Sequence, residues 1–188
     1  MISIVSGIPR SGTSLMMQMI AAGGMPVLTD GQRSADENNP RGYLEWEAAK
    51  SLARTPEVIA AAEGKVVKII SSLLLSLPAQ HEYRVIFMRR PLEEVIASQN
   101  KMLQRLGKEV PPAPQGAVIA AFEQHLDKIR TWLAEQSNIA VLYVDYPAVV
   151  QDPEGEAARV GAFLGNNLDV AAMARQVEQA LHREKSGS

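Results

Sequence analysis

Four short apolar runs, rich in β-branched residues, predict the β-strands of this chain. They lie at residues 2–5, 65–71, 84–88 and 139–144. Stretches with helical spacing separate or follow these runs, and three of them cover residues 91–106, 116–136 and 153–164. Strands that alternate with helices of about ten or more residues favour right-handed crossovers and a parallel sheet. The pattern therefore predicts an α/β fold of three layers, with a mostly parallel central sheet flanked by helices.

The loop after the first apolar run carries the clearest chemical signal. Gly7 and Gly12 bracket a turn that leads into a helical pattern, with the spacing G-x-x-x-x-G-x-[ST] of a phosphate-binding P-loop. Thr13 stands where that loop usually has a lysine, and a cation lies earlier, at Arg10. Glycines let the backbone approach a ligand closely, and the first N–H groups of the helix point into the loop. With the hydroxyl of Ser14 added, the sequence predicts a P-loop-type anion site.

Three further cations stand in or directly after predicted strands. Lys68 interrupts the second run, where a buried lysine is unfavourable unless its ammonium reaches an anion or the end of the sheet. Arg89 and Arg90 follow the third run, and Pro91 suits the first turn of the next helix. Ligands bind at the carboxyl ends of parallel strands, so both arginines are expected beside the first loop if the two strands are neighbours.

Composition narrows the class of protein. A chain of 188 residues with 46% hydrophobic residues suits one well-buried domain over residues 1–188, and a net charge of -2 argues against a general nucleic-acid surface. The absence of cysteine excludes disulfides and thiol nucleophiles. His81, His125 and His182 lack metal-ligand spacing, so no metal is expected. Without a leader pattern or a membrane-length apolar run, a cytoplasmic protein is expected.

Two segments are expected to contact the substrate. Residues 32–43 are polar and form a long predicted loop, and residues 111–114 are rich in proline. Loops of that length in compact domains often act as lids or substrate contacts. Substrate choice is therefore expected to depend on these two segments.

Three segments together resemble the sulfotransferases that use 3′-phosphoadenosine 5′-phosphosulfate (PAPS). They are IPRSGTSLMMQMI at residues 8–20, the third strand with its arginine pair running to Ser98, and VLYVDYPAVVQDPEGEAARVGAFLG at residues 141–165. The loop sequence PRSGT is nearest to bacterial sulfotransferase-domain proteins and the tyrosylprotein branch. The resemblance implies sulfonate transfer from PAPS, without a metal, to a hydroxyl or amine of a small-molecule or peptide acceptor.

The resemblance also implies a role for each matching residue. Ser98 matches the serine that binds the 3′-phosphate of PAPS. Arg90 matches the arginine paired with that serine by its spacing, whereas Arg89 matches the alternative R-x-P pattern, so both stay open. Tyr146 resembles a tyrosine near the nucleotide, although two non-acidic residues replace the acidic pair that follows it in the family. The loop that binds the 5′-phosphosulfate is matched by Pro9, Arg10, Ser11, Gly12, Thr13 and Ser14.

Two departures from the cytosolic branch bear on catalysis. Lys68 aligns with the lysine of a K-T-H segment, but Ile70 stands in place of its histidine, and the C-terminal R-K-G-x-x-G segment is missing. A carboxylate is therefore expected to act as the general base. Asp30 is the first candidate, because it lies about where the tyrosylprotein branch places its glutamate. Glu45 is the second candidate, and Glu37 is the third.

Catalysis is expected to rest on positioning and on stabilisation of negative charge by Arg10, the loop amides and Lys68, as in phosphoryl transfer. Two other functions stay open. A nucleotide or small-molecule kinase shares the loop spacing, but it would need the missing lysine and an acidic metal ligand. A non-catalytic module that binds a phosphorylated or sulfated ligand would account for the missing histidine.

Overall fold

The computed structural model describes residues 1–31, 44–109, 113–165 and 168–177. The predicted substrate loop at residues 32–43, and with it Glu37, lies outside these residues, as do residues 110–112. The strands are β1 (Ile2–Ser6), β2 (Val66–Lys68), β3 (Tyr83–Arg89) and β4 (Ile139–Asp145). The α-helices are α1 (Thr13–Ala22), α2 (Leu92–Arg105), α3 (Gln115–Glu135), α4 (Tyr146–Gln151) and α5 (Pro153–Leu164), and residues 170–177 are also helical.

The four strands form one parallel sheet in the order β2-β1-β3-β4. From β1 the chain crosses to β2 on one side, and then returns to β3 on the other side. The strand order therefore reverses between β1 and β3, and such a point leaves a crevice at the carboxyl ends of the strands. The loop after β1 and Arg90, which follows β3, meet there, because Ser6 is paired with Phe87.

Helices cover both faces of the sheet, as the apolar pattern predicts. One buried cluster joins the sheet to α1, α4, α5 and the helical residues 170–177, through side chains such as Met16, Val149 and Val160. The other joins it to α3 and three 3₁₀ helices, Glu47–Ser51, Pro56–Ala62 and Ser71–Ser76. Every residue of β1 is buried, as in parallel strands packed on both faces. The predicted three-layer α/β fold is confirmed.

Several predicted element boundaries are wrong. The strand predicted at residues 65–71 is shorter and covers only Val66–Lys68, and a 3₁₀ helix already begins at Ser71. Residues 44–54 have the apolar spacing of a helix, which predicts one there, but they form only the 3₁₀ helix Glu47–Ser51. Residues 145–147, Asp-Tyr-Pro, have the composition of a turn, but Tyr146 instead starts α4. Pro147 lies in the first turn of this helix, where a backbone N–H would have no helical acceptor.

No helix in the described ranges is long and apolar enough to cross a membrane.

Burial of Tyr83 predicts a loss of stability at alkaline pH. The Tyr83 side chain is in the core, its hydroxyl donates to the Pro78 carbonyl at 2.8 Å, and burial raises the pKa of the phenol to about 12. Above about pH 10 the unfolded chain ionises this phenol while the folded chain does not, so the free energy of unfolding falls between pH 10 and pH 12. Below pH 10 the Tyr83 phenol is protonated in both states, so its full contribution to the free energy of unfolding is present there.

We expect this loss to reach about 1–3 kcal/mol by pH 12. Urea unfolding of the wild type across this range should show it, and Tyr83→Phe should flatten the pH dependence. Tyr143→Phe, which removes the hydroxyl of a half-buried tyrosine, should keep the wild-type slope. A Tyr83→Phe slope equal to that of the wild type would contradict the prediction.

Candidate functional site

The loop between β1 and α1, residues 7–14 and here called the glycine loop, is shaped by its two glycines. A Cβ on Gly7 would lie 2.5 Å from Ser11 Oγ and 2.8 Å from the Met88 carbonyl oxygen. Gly12 has φ +99°, and a Cβ there would lie 2.5 Å from the ring of Tyr146. The loop can therefore pack this closely only with glycine at both positions.

Polar groups converge inside the glycine loop. The N–H groups in the first turn of α1, which starts at Thr13, have no acceptor within the helix and face the loop. The fully buried Ser11 hydroxyl has no hydrogen-bond partner among the residues that the structure describes. A buried polar atom without a partner is unfavourable unless a ligand supplies one. These donors fit an anionic group in the loop.

A second group of polar side chains lies on the β3 side of the glycine loop. Arg10, itself in the left-handed region with φ 70°, donates from Nε to Ser98 Oγ on α2 at 2.9 Å. The Arg90 guanidinium stacks on the Tyr146 ring, 4.3 Å from its centroid, and Nη1 donates to the Arg10 carbonyl at 3.3 Å. Glu94 accepts from Arg90 Nε at 2.9 Å. Four residues singled out in the sequence are thus brought together.

The structure separates the two neighbouring arginines. Arg89 points away from the glycine loop and forms a two-pronged ion pair with Asp145, with distances of 2.8 and 2.7 Å. Its guanidinium also lies 5.4 Å from the centroid of the Tyr143 ring. A cavity of about 530 Å³ opens beside this pair, lined by Arg89, Arg90, Pro91, Asp145, Pro147, Ala148 and Gln151. Arg90 is therefore the arginine in contact with the loop.

Lys68 lies on the opposite, β2 side of the glycine loop. Its ammonium donates to Ser14 Oγ at 3.1 Å and forms an ion pair with Glu45 at 3.2 Å. The lysine side chain is only 10% exposed. Because Lys68 is the last residue of β2, its ammonium reaches the carboxyl edge of the sheet, as the sequence predicts for a lysine in that run. The glycine loop thus has a cation on each flank.

The two described candidates for the general base have different partners. Glu45 contacts Lys68, next to the glycine loop. The Asp30 carboxylate instead accepts the backbone N–H of Glu47 at 2.6 Å, at the start of a 3₁₀ helix. Asp30 also donates its own N–H to the Glu45 carbonyl at 3.3 Å. Asp30 therefore supports the segment that carries Glu45.

Sequence reasoning missed two residues that support the site, Ser71 and His125. The Ser71 N–H donates to the Gly7 carbonyl at 3.1 Å, and its hydroxyl lies 2.8 Å from His125 Nε2. These partners are far apart in the chain, and neither stands in a motif, so no local signal could have found them. In the described part of the chain, no group of three or more His, Asp or Glu side chains is placed to hold a metal ion.

Comparison with known proteins identifies a family. The model of the sulfotransferase domain family matches residues 3–187. No curated protein sequence matches the chain significantly.

Solved structures share the fold at low sequence identity. Retinol dehydratase in complex with androsterone and the inactive cofactor PAP is 16% identical, with a TM-score of 0.51 over 94% of this chain and 63% of that one. Sulfotransferase STF1 from Mycobacterium tuberculosis is 15% identical, with a TM-score of 0.53 over 94% of this chain and 70% of that one. The mouse sulfotransferase SULT7A1 complexed with PAP is 16% identical, with a TM-score of 0.50 over 94% and 62%. The chain thus spans less than two thirds of retinol dehydratase and of the mouse protein.

The contact between Gly12 and Tyr146 predicts the effect of adding a methyl group. Gly24 has nearly the same φ, +97°, but has open space around its Cβ position, so it is a matched control. We expect Gly24→Ala to lower the free energy of unfolding by about 1–2 kcal/mol through backbone strain alone. Gly12→Ala should lower the free energy of unfolding by more than this, because its methyl group must also displace the Tyr146 ring. Equal losses in urea unfolding would show that the ring does not constrain the loop.

Proposed function

Because the chain belongs to the sulfotransferase domain family, we propose that it transfers a sulfonate group from PAPS to an acceptor hydroxyl or amine. The proposed acceptor is a small molecule. The solved complexes of retinol dehydratase with androsterone and with retinol are consistent with such an acceptor.

The polar groups of the site fit PAPS, which has an anionic group at each end. The glycine loop offers helix N–H groups and the unpartnered Ser11 hydroxyl for the 5′-phosphosulfate. Arg10, Thr13 and Ser14 would add side-chain donors there. Arg90 and Ser98 would hold the 3′-phosphate. PAP accompanies both retinol dehydratase and the mouse sulfotransferase in their solved structures, which supports this choice of nucleotide.

The single observation that carries the proposal is the hydrogen bond from Arg10 to Ser98 at 2.9 Å. It joins a residue of the loop after β1 to a residue of the helix after β3. The two proposed phosphate subsites are therefore contiguous, as a nucleotide with two anionic ends requires. Arg90 suits the second subsite better than Arg89, since it contacts the loop backbone while Arg89 is held by Asp145.

Charge stabilisation would come from both flanks of the glycine loop. PAPS supplies an activated sulfonate whose leaving group is a phosphate. Arg10 and Lys68 lie on opposite sides of the loop and would stabilise negative charge on the transferred group and on the leaving oxygen. Hydrogen bonds to Ser98 and Ser14 hold these cations in place, so little reorganisation is needed.

We assign the role of general base to Glu45 rather than to Asp30. Glu45 forms an ion pair with Lys68, and Lys68 also donates a hydrogen bond to Ser14 of the glycine loop. The Glu45 carboxylate is therefore near the proposed position of the transferred group. An acceptor hydroxyl there would give its proton to Glu45 as its oxygen bonds to sulfur, while the bond from sulfur to the phosphate oxygen breaks and PAP leaves with that electron pair. Asp30 accepts the backbone N–H of Glu47 and would support the segment that carries Glu45.

Titration calorimetry with PAP tests the nucleotide site. We expect Arg90→Ala to weaken PAP binding about 10- to 100-fold, since a charge-assisted hydrogen bond contributes about 1.5–3 kcal/mol. Arg89→Ala should change it by less than about 3-fold, since Arg89 is paired with Asp145 away from the loop. A wild type that does not bind PAP would overturn the proposed function. A larger effect of Arg89→Ala would overturn only the choice of arginine.

The base is tested by transfer from PAPS to a panel of phenols, alcohols and amines, followed by kinetics on the best acceptor. We expect Glu45→Gln to lower kcat about 10²- to 10⁴-fold, while the Kd for PAP stays within about 3-fold of the wild type. Asp30→Asn keeps an oxygen for the Glu47 N–H and should retain most of the rate. Loss of turnover in Asp30→Asn, with a nearly unchanged rate in Glu45→Gln, would reverse the assignment.

A further inference from the structure

We propose that His125 is a positioning residue for the glycine loop and that it acts through Ser71. The effect of His125 on catalysis rests on the proposed function, whereas the hydrogen bonds that connect His125 to the loop do not depend on it. His125 lies on α3, and its Nε2 is 2.8 Å from Ser71 Oγ. The Ser71 N–H donates to the carbonyl of Gly7, the first residue of the loop, at 3.1 Å. Two consecutive hydrogen bonds thus connect α3 to the anion site.

Backbone hydrogen bonds beyond β2 continue along β1 into the loop. The Ile69 N–H donates to the Val5 carbonyl at 3.0 Å, and the Ser71 N–H donates to the Gly7 carbonyl. On the other side of Gly7, Ser11 Oγ and the Met88 carbonyl leave no room even for a Cβ. Gly7 is therefore held between Ser71 and the β3 side of the site. A shift of Ser71 must move Gly7 or break its hydrogen bond.

Ser71 needs a side-chain partner to stay in this position. It is the first residue of a 3₁₀ helix, directly after the extended residue Ile70, so it lies where the extended segment that follows β2 ends. Ser71 is only 3% exposed, and a buried hydroxyl without a partner is unfavourable by about 1–3 kcal/mol. The imidazole of His125 supplies that partner, because Nε2 can either accept from the Ser71 hydroxyl or donate to it. Removing the imidazole leaves the hydroxyl unpaired and favours a shift of Ser71.

His125 acts on the reaction at a distance rather than as the missing histidine base. Ser71 lies between it and the loop, and the Ser71 hydroxyl is too buried to meet an acceptor. The contact of Ser71 with the loop runs through its backbone N–H. Lys68 lies three residues before Ser71 on the same extended segment, so a shift there also loosens the contact between Lys68 and Ser14. Loss of His125 should therefore affect both nucleotide binding and turnover.

The test compares His125→Leu, Ser71→Ala and the double variant with His125→Gln, whose side-chain amide can restore a hydrogen bond near Nε2. His81→Leu is the matched control, since His81 is another half-buried histidine and lies near Glu63 outside the site. We expect His125→Leu, Ser71→Ala and the double variant each to weaken PAP binding about 5- to 20-fold, because all three remove the same hydrogen bond between Ser71 and His125. His125→Gln and His81→Leu should stay within about 3-fold of the wild type.

Amide chemical shifts of the ligand-free protein test the structural part independently. We expect His125→Leu and Ser71→Ala to move the ¹H–¹⁵N signals of Gly7 and Gly12, while His125→Gln restores them. Unmoved glycine signals in both disruptive variants would overturn the inference, and so would additive losses of PAP affinity. If the wild type does not bind PAP, the proposed function fails, while the glycine signals still decide whether His125 positions the loop. Ser71→Ala decides the same point if His125→Leu does not fold.

Discussion

The parallel pairing of β1 with β3 is the constraint on which the site depends. This pairing brings the carboxyl ends of two central strands side by side, although the loop after β1 and the arginine after β3 are 80 residues apart. The strand order reverses at this point, so the connections that follow β1 and β3 leave in opposite directions and a crevice opens between them. The glycine loop, Arg10, Arg90 and Ser98 all take their positions from this pairing.

Each cation of the site is held by protein groups before any anion arrives. Arg10 binds Ser98, Arg90 binds Glu94 and stacks on Tyr146, and Lys68 binds Glu45 and Ser14. Such partners lower the reorganisation needed when negative charge develops, which is how an electrostatic site stabilises a transition state. The partners also keep three like charges apart around one loop. Arg89 has the same charge but is held by Asp145, away from this arrangement.

Much of the fold could be predicted because its signals are local. The apolar runs locate all four strands, and Gly7 and Gly12 mark a loop whose shape depends on their missing side chains. Local signals failed where two conformations share a sequence pattern. Pro147 is compatible both with a turn and with the first turn of a helix. The helix α4 forms because its residue Val149 is buried in the apolar cluster on one face of the sheet.

The glycine loop, the α/β layers and the types of side chain at the strand ends could be read from the sequence, because these follow from periodicity and backbone preference. Which of these side chains meet depends on how the chain folds in three dimensions. The fold places Arg90 against the loop and Arg89 against Asp145, brings Glu45 into contact with Lys68, and joins His125 to Ser71. Strand order and side-chain direction make these choices, and neither can be read from spacing along one chain.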